Sequence, residues 1–519
     1  MSLPLGSTQR RSTGSKALTR IKEWFMSNQS TIAQQHSSAG QGLDTKRSNA
    51  AKSRASRTVA MDIVALGDIF AVTLGAQLPA TLYASYGEPV AGWITLLQIG
   101  LIAGFISYLW FRNAGLYDLE KIADLPMHPF QLLTGISIAI AAVTSITIPM
   151  GLHQWHFTIW FTSWLLTSFV LIVASRGVSR AVLTRMSAAG RFNRSVAVFG
   201  AGSVARRVND HLSETGSFVH FAGVFDDRIG DERIDHNGLP PAGQLDDLLT
   251  KAFEGEIDDI VIALPPAADN RICQIARKLE QAPCNIHVVT HIASDLISSN
   301  TAHRVSKIGD VGLIDVKDKP LADWAPIIKR AEDIVIATLA LAITLPVLVV
   351  AIIAIKLDTK GPVFYRQRRR GLNRRIIEVL KLRTLSVSED DDQVRQVTPG
   401  DDRVTRVGRI LRRTSIDELP QLWNVLKGDM SIVGPRPHAL IHDEQFSAML
   451  EDYANRHQVK PGMTGLAQVN GYRGSTNTPE RIENRVAKDM AYIKSWSLWL
   501  DLKIIARTIV IIATGWNAY

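Results

Sequence analysis

Hydrophobic and polar positions change rhythm three times along this chain. Four long apolar runs come first, at 59–83, 93–111, 130–150 and 157–175. Each approaches the roughly 20 residues that a helix needs to cross a bilayer. Asp62 and Asp68 interrupt the first run, which predicts that they face a helix bundle rather than lipid. Between about 195 and 290 the pattern shortens. There 195–200, 221–225, 259–264 and 285–290 read as strands, and 203–212, 245–253 and 269–279 read as amphipathic helices, an order that predicts a parallel α/β sheet. A fifth apolar run, 334–355, then opens a region dense in Arg, Gly and Pro.

Charge orients these runs. The segment 1–58 has ten Lys or Arg against Glu23 and Asp44, and its Ser, Gln and Ala content reads as a disordered tail drawn to anionic headgroups. No apolar core lies close to Met1, so no cleavable leader is expected. Loops 84–92 and 151–156 lack Lys and Arg, whereas Arg112 and Lys121 occupy the middle loop and Arg176, Arg180, Arg185 and Arg191 follow the fourth run. Positive charge on alternate sides predicts four spans with both ends cytoplasmic. The fifth run has Lys329 and Arg330 before it, Lys356 and Lys360 after it, and Pro346 in the middle. A helix over 331–357 that enters the membrane, breaks near Pro346 and returns fits the charge bias, with a plain spanning helix as the alternative.

Composition narrows the class. The chain has 519 residues, a formal charge of +9 and 21% charged residues. With a mean hydropathy of +0.06, that describes soluble modules joined to membrane segments. Cys273 and Cys284 lack CxxC spacing, which argues against a disulfide framework or a zinc site and for a reducing compartment.

The first strand of the middle region leads into Gly200-Ala201-Gly202-Ser203-Val204-Ala205, a G-x-G-x-x-A turn. Gly200 and Gly202 there would let a pyrophosphate approach a helix N-terminus, and Asp226 or Asp227 could hold a ribose hydroxyl, farther along than the usual spacing of roughly 20 residues. Nucleotide binding and a purely structural or regulatory module both remain open. A membrane-tethered sugar-nucleotide dehydratase or epimerase would need a Tyr-x-x-x-Lys pair downstream of this turn. The spacing occurs at Tyr117…Lys121, upstream and between membrane runs.

The last region is cationic, with Arg366, Arg368, Arg369 and Arg370 ahead of Lys381-Leu382-Arg383-Thr384. Beside membrane segments, such charge favours anionic small molecules or lipid phosphates over nucleic acid. Asp417-Glu418 follow Arg412 and Arg413. Ser415-x-x-Glu418 matches a capping box, although Pro420 falls past the first turn. In either role a carboxylate there is expected to stay ionised, the state that a nucleophile or Mg²⁺ ligand needs. The acidic run 389–392 reads as a solvated loop, and His438, His442 and His457 lack metal-ligand spacing. Trp496, Trp499 and Trp516 flank an apolar stretch with Lys503 and Arg507, the composition of an interfacial helix.

Two motifs, SIDELPQLWNVLKGDMSIVGPRP at 415–437 and KPGMTGLAQVNGYRG at 460–474, carry a resemblance. From about Lys329 to the end the chain resembles the catalytic domain of the bacterial polyprenyl-phosphate sugar-1-phosphate transferases, the monotopic phosphoglycosyl transferases. With the upstream spans it resembles the long members that begin exopolysaccharide, capsule or O-antigen repeat units. Residue patterns and resemblance together give the expected organisation: a tail at 1–58, a four-helix transmembrane region at 59–176, a Rossmann-like nucleotide- or CoA-binding-like α/β domain at 190–315, and an α/β catalytic domain at 325–519 with the re-entrant helix. The resemblance implies transfer of hexose-1-phosphate from a UDP-hexose, glucose ahead of galactose, to undecaprenyl phosphate at the cytoplasmic face of the inner membrane, releasing UMP. A non-catalytic assembly protein is the remaining alternative. By resemblance Asp417 is the nucleophile and touches Mg²⁺, Glu418 handles metal or proton, and Lys381, Arg412 and Arg436 bind phosphate. Homo-oligomerisation stays open.

Overall fold

The structure, a computed structural model, describes residues 56–85, 92–118, 122, 128–147, 155–214, 219–228, 239–265, 268–290, 305–308, 311–386, 401–472 and 478–514. The tail up to residue 55, Lys121, the acidic run 389–392 and Trp516 lie outside the described residues.

The four early apolar runs form α1 (Arg57–Ala84), α2 (Trp93–Asn113), α3 (Pro129–Thr147) and α4 (Trp155–Ala188). All four are long and apolar enough to cross a membrane. α4 runs well past the expected end near residue 175, because no proline interrupts the basic segment that follows. The indoles of Trp160 and Trp164 donate to Ala76 O and Val72 O of α1, each at 2.9 Å. Outward positions such as Leu66, Phe70, Ile102 and Phe105 stay exposed, leaving an apolar surface that suits lipid better than water. Asp68 does face inward. It is 1% exposed, pairs with Arg176 at 2.8 Å and accepts from Tyr117 Oη at 3.1 Å. The Arg176 guanidinium also lies over the rings of Phe111 and Tyr117, at 5.4 and 5.5 Å. Tyr117, the tyrosine of the Tyr-x-x-x-Lys spacing, thus serves the bundle.

Among the described residues the middle domain holds six strands: β1 (Arg194–Phe199), β2 (Val219–Phe225), β3 (Asp259–Ile262), β4 (Asn285–Thr290), β5 (Val305–Ile308) and β6 (Val311–Lys317), in the order β2-β1-β3-β4-β6-β5. The first four pair in parallel, while β6 and β5 add antiparallel. α5 (Ser203–Glu214), α6 (Leu245–Glu254) and α7 (Asp269–Leu279) connect the parallel strands. Alternate residues of β1 enter separate cores, Val196 and Val198 on one face and Ala197 and Phe199 on the other. A strand covered on both faces loses its polar alternation, which is why β1 is legible as an apolar run. β5 and β6 are mixed-polarity strands at the sheet's end and were not expected.

Helix α8 (Ala325–Asp358) opens the last domain and runs through Pro346 without interruption. The expected helix break is therefore corrected: proline deletes one backbone bond and crowds the preceding turn, which a long apolar helix absorbs by bending. Both halves of α8 are fastened to the same domain. Asp333 accepts from Ser431 Oγ at 2.8 Å and Ile432 N at 2.9 Å, and Lys329 pairs with Asp501 at 2.7 Å. Past the other end, Arg383 donates to Thr359 O and Lys360 O at 2.9 and 2.6 Å. Around α8 lie the hairpin β7 (Phe364–Arg370) and β8 (Ile376–Leu382), then α9 (Arg406–Arg413), α10 (Gln421–Lys427), β9 (Ser431–Val433), α11 (Leu440–Met449), β10 (Gly462–Thr464), α12 (Leu466–Val469), α13 (Pro479–Lys494) and α14 (Leu498–Thr514). α14 is two-sided: Asp501 and Ile504 are buried while Trp499, Leu502, Ile509 and Val510 are exposed.

The Asp68–Arg176 pair generates a stability prediction. Arg176→Ala should destabilise the bundle by about 3 kcal/mol by leaving a buried carboxylate unpaired, whereas the double replacement Asp68→Leu/Arg176→Leu should be better tolerated. Thermal unfolding in detergent compares them. A single variant as stable as the parent would refute the assignment.

Candidate active site

The backbone around Asp417 is set by two stops. Thr405 caps α9, its Oγ1 accepting from Gly408 N at 2.9 Å, and α9 ends at Arg413. Ser415 then takes a left-handed conformation, φ +58°, which non-glycine residues adopt at a cost on the order of 1 kcal/mol. This reversal turns Ile416–Glu418 into a single 3₁₀ turn, after which Pro420 initiates α10. The expected capping box is absent, since the Ser415 side chain makes no cap bond to this turn. Glu418 points instead at fixed cations, which outcompete a neutral backbone N–H.

Those cations arrive from distant parts of the sequence. Lys381, at the end of β8, places Nζ 2.9 Å from Glu418 Oε1. Arg436, just after β9, donates from Nη2 to Oε1 at 2.5 Å and from Nη1 to Oε2 at 3.1 Å, a two-pronged pairing. Glu418 is 15% exposed, so these bonds stand in for the water it has lost. Burial works against its charge, yet Arg436 and Lys381 more than offset that and hold its carboxyl well below the usual carboxylate range. Asp417 differs. Burial, and then the charge of Glu418 beside it, push its carboxyl up to about 6, resisted by Lys381, Arg412 and Arg436. Near neutral pH Asp417 therefore still carries its charge, as expected, but holds it less firmly than Glu418 does. Among the described residues no hydrogen bond to the Asp417 carboxylate is formed. One acid is locked and the other is free.

The structure thus brings Lys381, Glu418 and Arg436 into direct contact beside Asp417. Arg412 sits on the exposed face of α9 and acts on Asp417 through its field. One contributor was missed. Arg369 on β7 donates from Nη1 to Pro437 O at 2.5 Å; its charge weighs on Lys381, and the charge of Arg436 weighs on it in turn. In a strand alternate side chains share a face, so Gln367 and Arg369 separate from Arg368, but the sequence does not say which face turns inward.

The two motif regions meet through β9 and β10, which pair in parallel with Ser431 opposite Gly462 and Val433 opposite Thr464. A Cβ on Gly434 would come within 2.5 Å of Lys460 O, and one on Gly462 within 2.1 Å of Gly434 N. Glycine at both positions is a packing requirement for the loop that carries Arg436.

Among the described residues no group of three or more His, Cys, Asp or Glu could hold a metal by itself. Mg²⁺ usually takes one or two carboxylates and completes its shell with water and substrate phosphate, and the free carboxylate of Asp417 fits that demand. In the middle domain Gly200 adopts φ +116°, where a Cβ would meet Ala263 O at 2.8 Å, and Gly202 borders open space. Asp226 is 2% exposed, accepts from Ala201 N at 2.8 Å and pairs with Arg228 at 2.6 Å. The oxygens of Asp226, expected on a ribose, tie the glycine turn to the end of β2. Asp227 receives Leu245 N at 3.2 Å and pairs with Arg271.

Comparison with known proteins bears on both domains. Residues 324–515 match the family of bacterial sugar transferases, and residues 112–290 match a CoA-binding domain. A UDP-glucose:undecaprenyl-phosphate glucose-1-phosphate transferase of Klebsiella pneumoniae is 44% identical over 268 residues, 52% of this chain and 57% of that protein. Its counterpart in Escherichia coli is also 44% identical, over 269 residues. The chain thus spans 57% of the length of each of these relatives. An undecaprenyl-phosphate glucose phosphotransferase of Komagataeibacter xylinus is 33% identical over 464 residues, 86% of this chain and 83% of that protein.

The pairing at Glu418 predicts how Asp417 titrates. A water-soluble carbodiimide, which modifies protonated carboxyls, should label Asp417 increasingly as pH falls through about 6. In Glu418→Gln the neighbouring negative charge is gone, so the midpoint should move down. Peptide mass mapping reads both, and an unmoved midpoint would contradict the assigned cause.

Proposed function

Because the chain belongs to the bacterial sugar transferase family, we propose that it transfers glucose-1-phosphate from UDP-glucose to undecaprenyl phosphate, releasing UMP and beginning a polysaccharide repeat unit. The observation that carries this reading is the unequal pair at 417–418, one carboxylate locked by Lys381 and Arg436 and the other left free.

In the first step a carboxylate oxygen of Asp417 attacks the sugar-bearing phosphorus, and the bond to the UMP oxygen breaks with its electron pair leaving on UMP. In the second, an oxygen of undecaprenyl phosphate attacks the same phosphorus and displaces Asp417, giving undecaprenyl-diphosphate-glucose. Covalent relay lets one site receive two polyanions in turn. Lys381, Arg412 and Arg436 bind the phosphates and disperse charge that builds on their oxygens. Glu418 orients Lys381 and Arg436, so its own part is positional. Mg²⁺, held by Asp417 together with the diphosphate, would neutralise charge and polarise the attacked phosphorus.

The membrane arrangement forms part of the proposal. Helices α1 to α4 span the inner membrane with both ends in the cytoplasm, as the alternation of basic loops supports. α8, continuous through Pro346, bends there rather than breaks and keeps both of its ends on the cytoplasmic side. Supporting this, its two halves contribute to two cores of the same domain, and Leu341 and Leu419 pack against both. Trp499 and the exposed apolar face of α14 lie at the interface, so that the lipid phosphate reaches Asp417 without leaving headgroup depth.

Incubation with UDP-glucose and Mg²⁺ should leave a hexose-phosphate mass on the intact protein, and Asp417→Asn should abolish it together with UMP release. Product formation without any adduct under single-turnover conditions would sink the two-step scheme. UMP release across a panel of UDP-sugars tests the preference for glucose. For α8, single cysteines at either end of 334–355 should both label from the cytoplasmic side. Labelling from opposite sides would establish a spanning helix instead.

A further inference from the structure

Arg436 is itself held from behind. Its carbonyl oxygen accepts from Arg456 Nη2 at 2.7 Å, and the following carbonyl, Pro437 O, accepts from Arg369 Nη1. Arg456 comes from the 3₁₀ segment Glu451–Gln458 and is 3% exposed. A guanidinium at that depth is tolerated only when paired and hydrogen-bonded. Asp489 of α13, 2% exposed, supplies the charge at 2.8 Å, and Tyr453 Oη accepts from Arg456 Nη1 at 3.0 Å.

The same Nη2 of Arg456 therefore bridges α13 and the Arg436 carbonyl. A charged donor on a backbone carbonyl is roughly twice as strong as a neutral one. With consecutive carbonyls clamped, the peptide planes around Arg436 and Pro437 lose their freedom to rotate. The close contact of Gly434 with Gly462 fixes the loop on its other side. None of this needs Arg456 to reach the substrate.

We propose that Arg456, backed by Asp489, is a positioning residue for the transfer reaction: it sets the Arg436 backbone so that the Arg436 guanidinium meets Glu418 and leaves the Asp417 carboxylate free. The inference rests on the reading given under the proposed function. A buried arginine used only for stability would hold α13 to its neighbours equally well whatever occupied position 436. A positioning residue acts through Arg436 and loses its effect when Arg436 is altered.

A double-mutant cycle separates the two. Arg456→Lys keeps the charge near Asp489 but lacks the planar fork that reaches both partners. In full-length protein in detergent, with UDP-glucose, Mg²⁺ and undecaprenyl phosphate, this change should lower kcat/KM for UMP release about tenfold when Arg436 is present. In an Arg436→Lys background, where the two-pronged contact is already lost but residual activity is measurable, it should lower it by less than about threefold. The same factor in both backgrounds would overturn the proposal. Should Arg456→Lys fail to accumulate as folded protein, Asp489→Asn takes its place in the cycle with the same expected coupling. A parent protein that releases no UMP would refute the transfer reading itself, whereas an active parent with independent losses would refute only the role of Arg456.

Discussion

The site depends on one constraint: two adjacent carboxylates are both partly buried, and only one of them is directly paired with cations. Like charges side by side raise the cost of ionising both. Lys381 and Arg436 resolve the conflict by converging on Glu418, which makes the pair chemically unequal. Everything nearby serves that inequality. The left-handed Ser415 aims the turn, Pro420 separates it from α10, and the β8 and β9 ends deliver the cations. Had the cations been divided evenly, both acids would have been tied up.

Much of this was legible in the chain, and the limits have physical causes. Long apolar runs and buried parallel strands announce themselves because each repeats one simple demand, lipid or a covered face, over many residues. The pair at 417–418 was legible as chemistry through its motif, but not the division of labour within it. That division depends on Lys381, 37 positions earlier, and Arg436, 18 positions later, and no local pattern fixes which acid they choose. The capping reading failed for the same reason, since Ser415-x-x-Glu418 has the right spacing while tertiary charge redirected Glu418. Asp226 likewise looked available from sequence because its partner, Arg228, belongs to a turn whose geometry spacing does not reveal.

The membrane helices and the catalytic domain are joined by polar bonds at the point where α8 begins. Trp324 donates from its indole to Asp62 of α1 at 2.8 Å, and Ser56 Oγ donates to Asp323 at 2.8 Å. Asp62, which the sequence marked as an odd charge in an apolar run, thus has a partner outside the bundle. Deeper in the domain, Lys329, Asp333 and Asp501 connect α8 to β9 and α14. The apolar helices and the loop that bears Arg436 are therefore parts of one hydrogen-bonded framework, which limits how far Arg436 can shift relative to the helix bundle.

The contact between Gly434 and Gly462 has a consequence for how such a protein can vary over time. The two glycines belong to separate motifs, yet each occupies the volume that a methyl on the other's strand would require. A substitution at either one cannot be answered by trimming a neighbour, because what stands in the way is main chain rather than side chain. Each must therefore stay glycine on its own account, since exchanging the other would leave the obstructing main chain where it is.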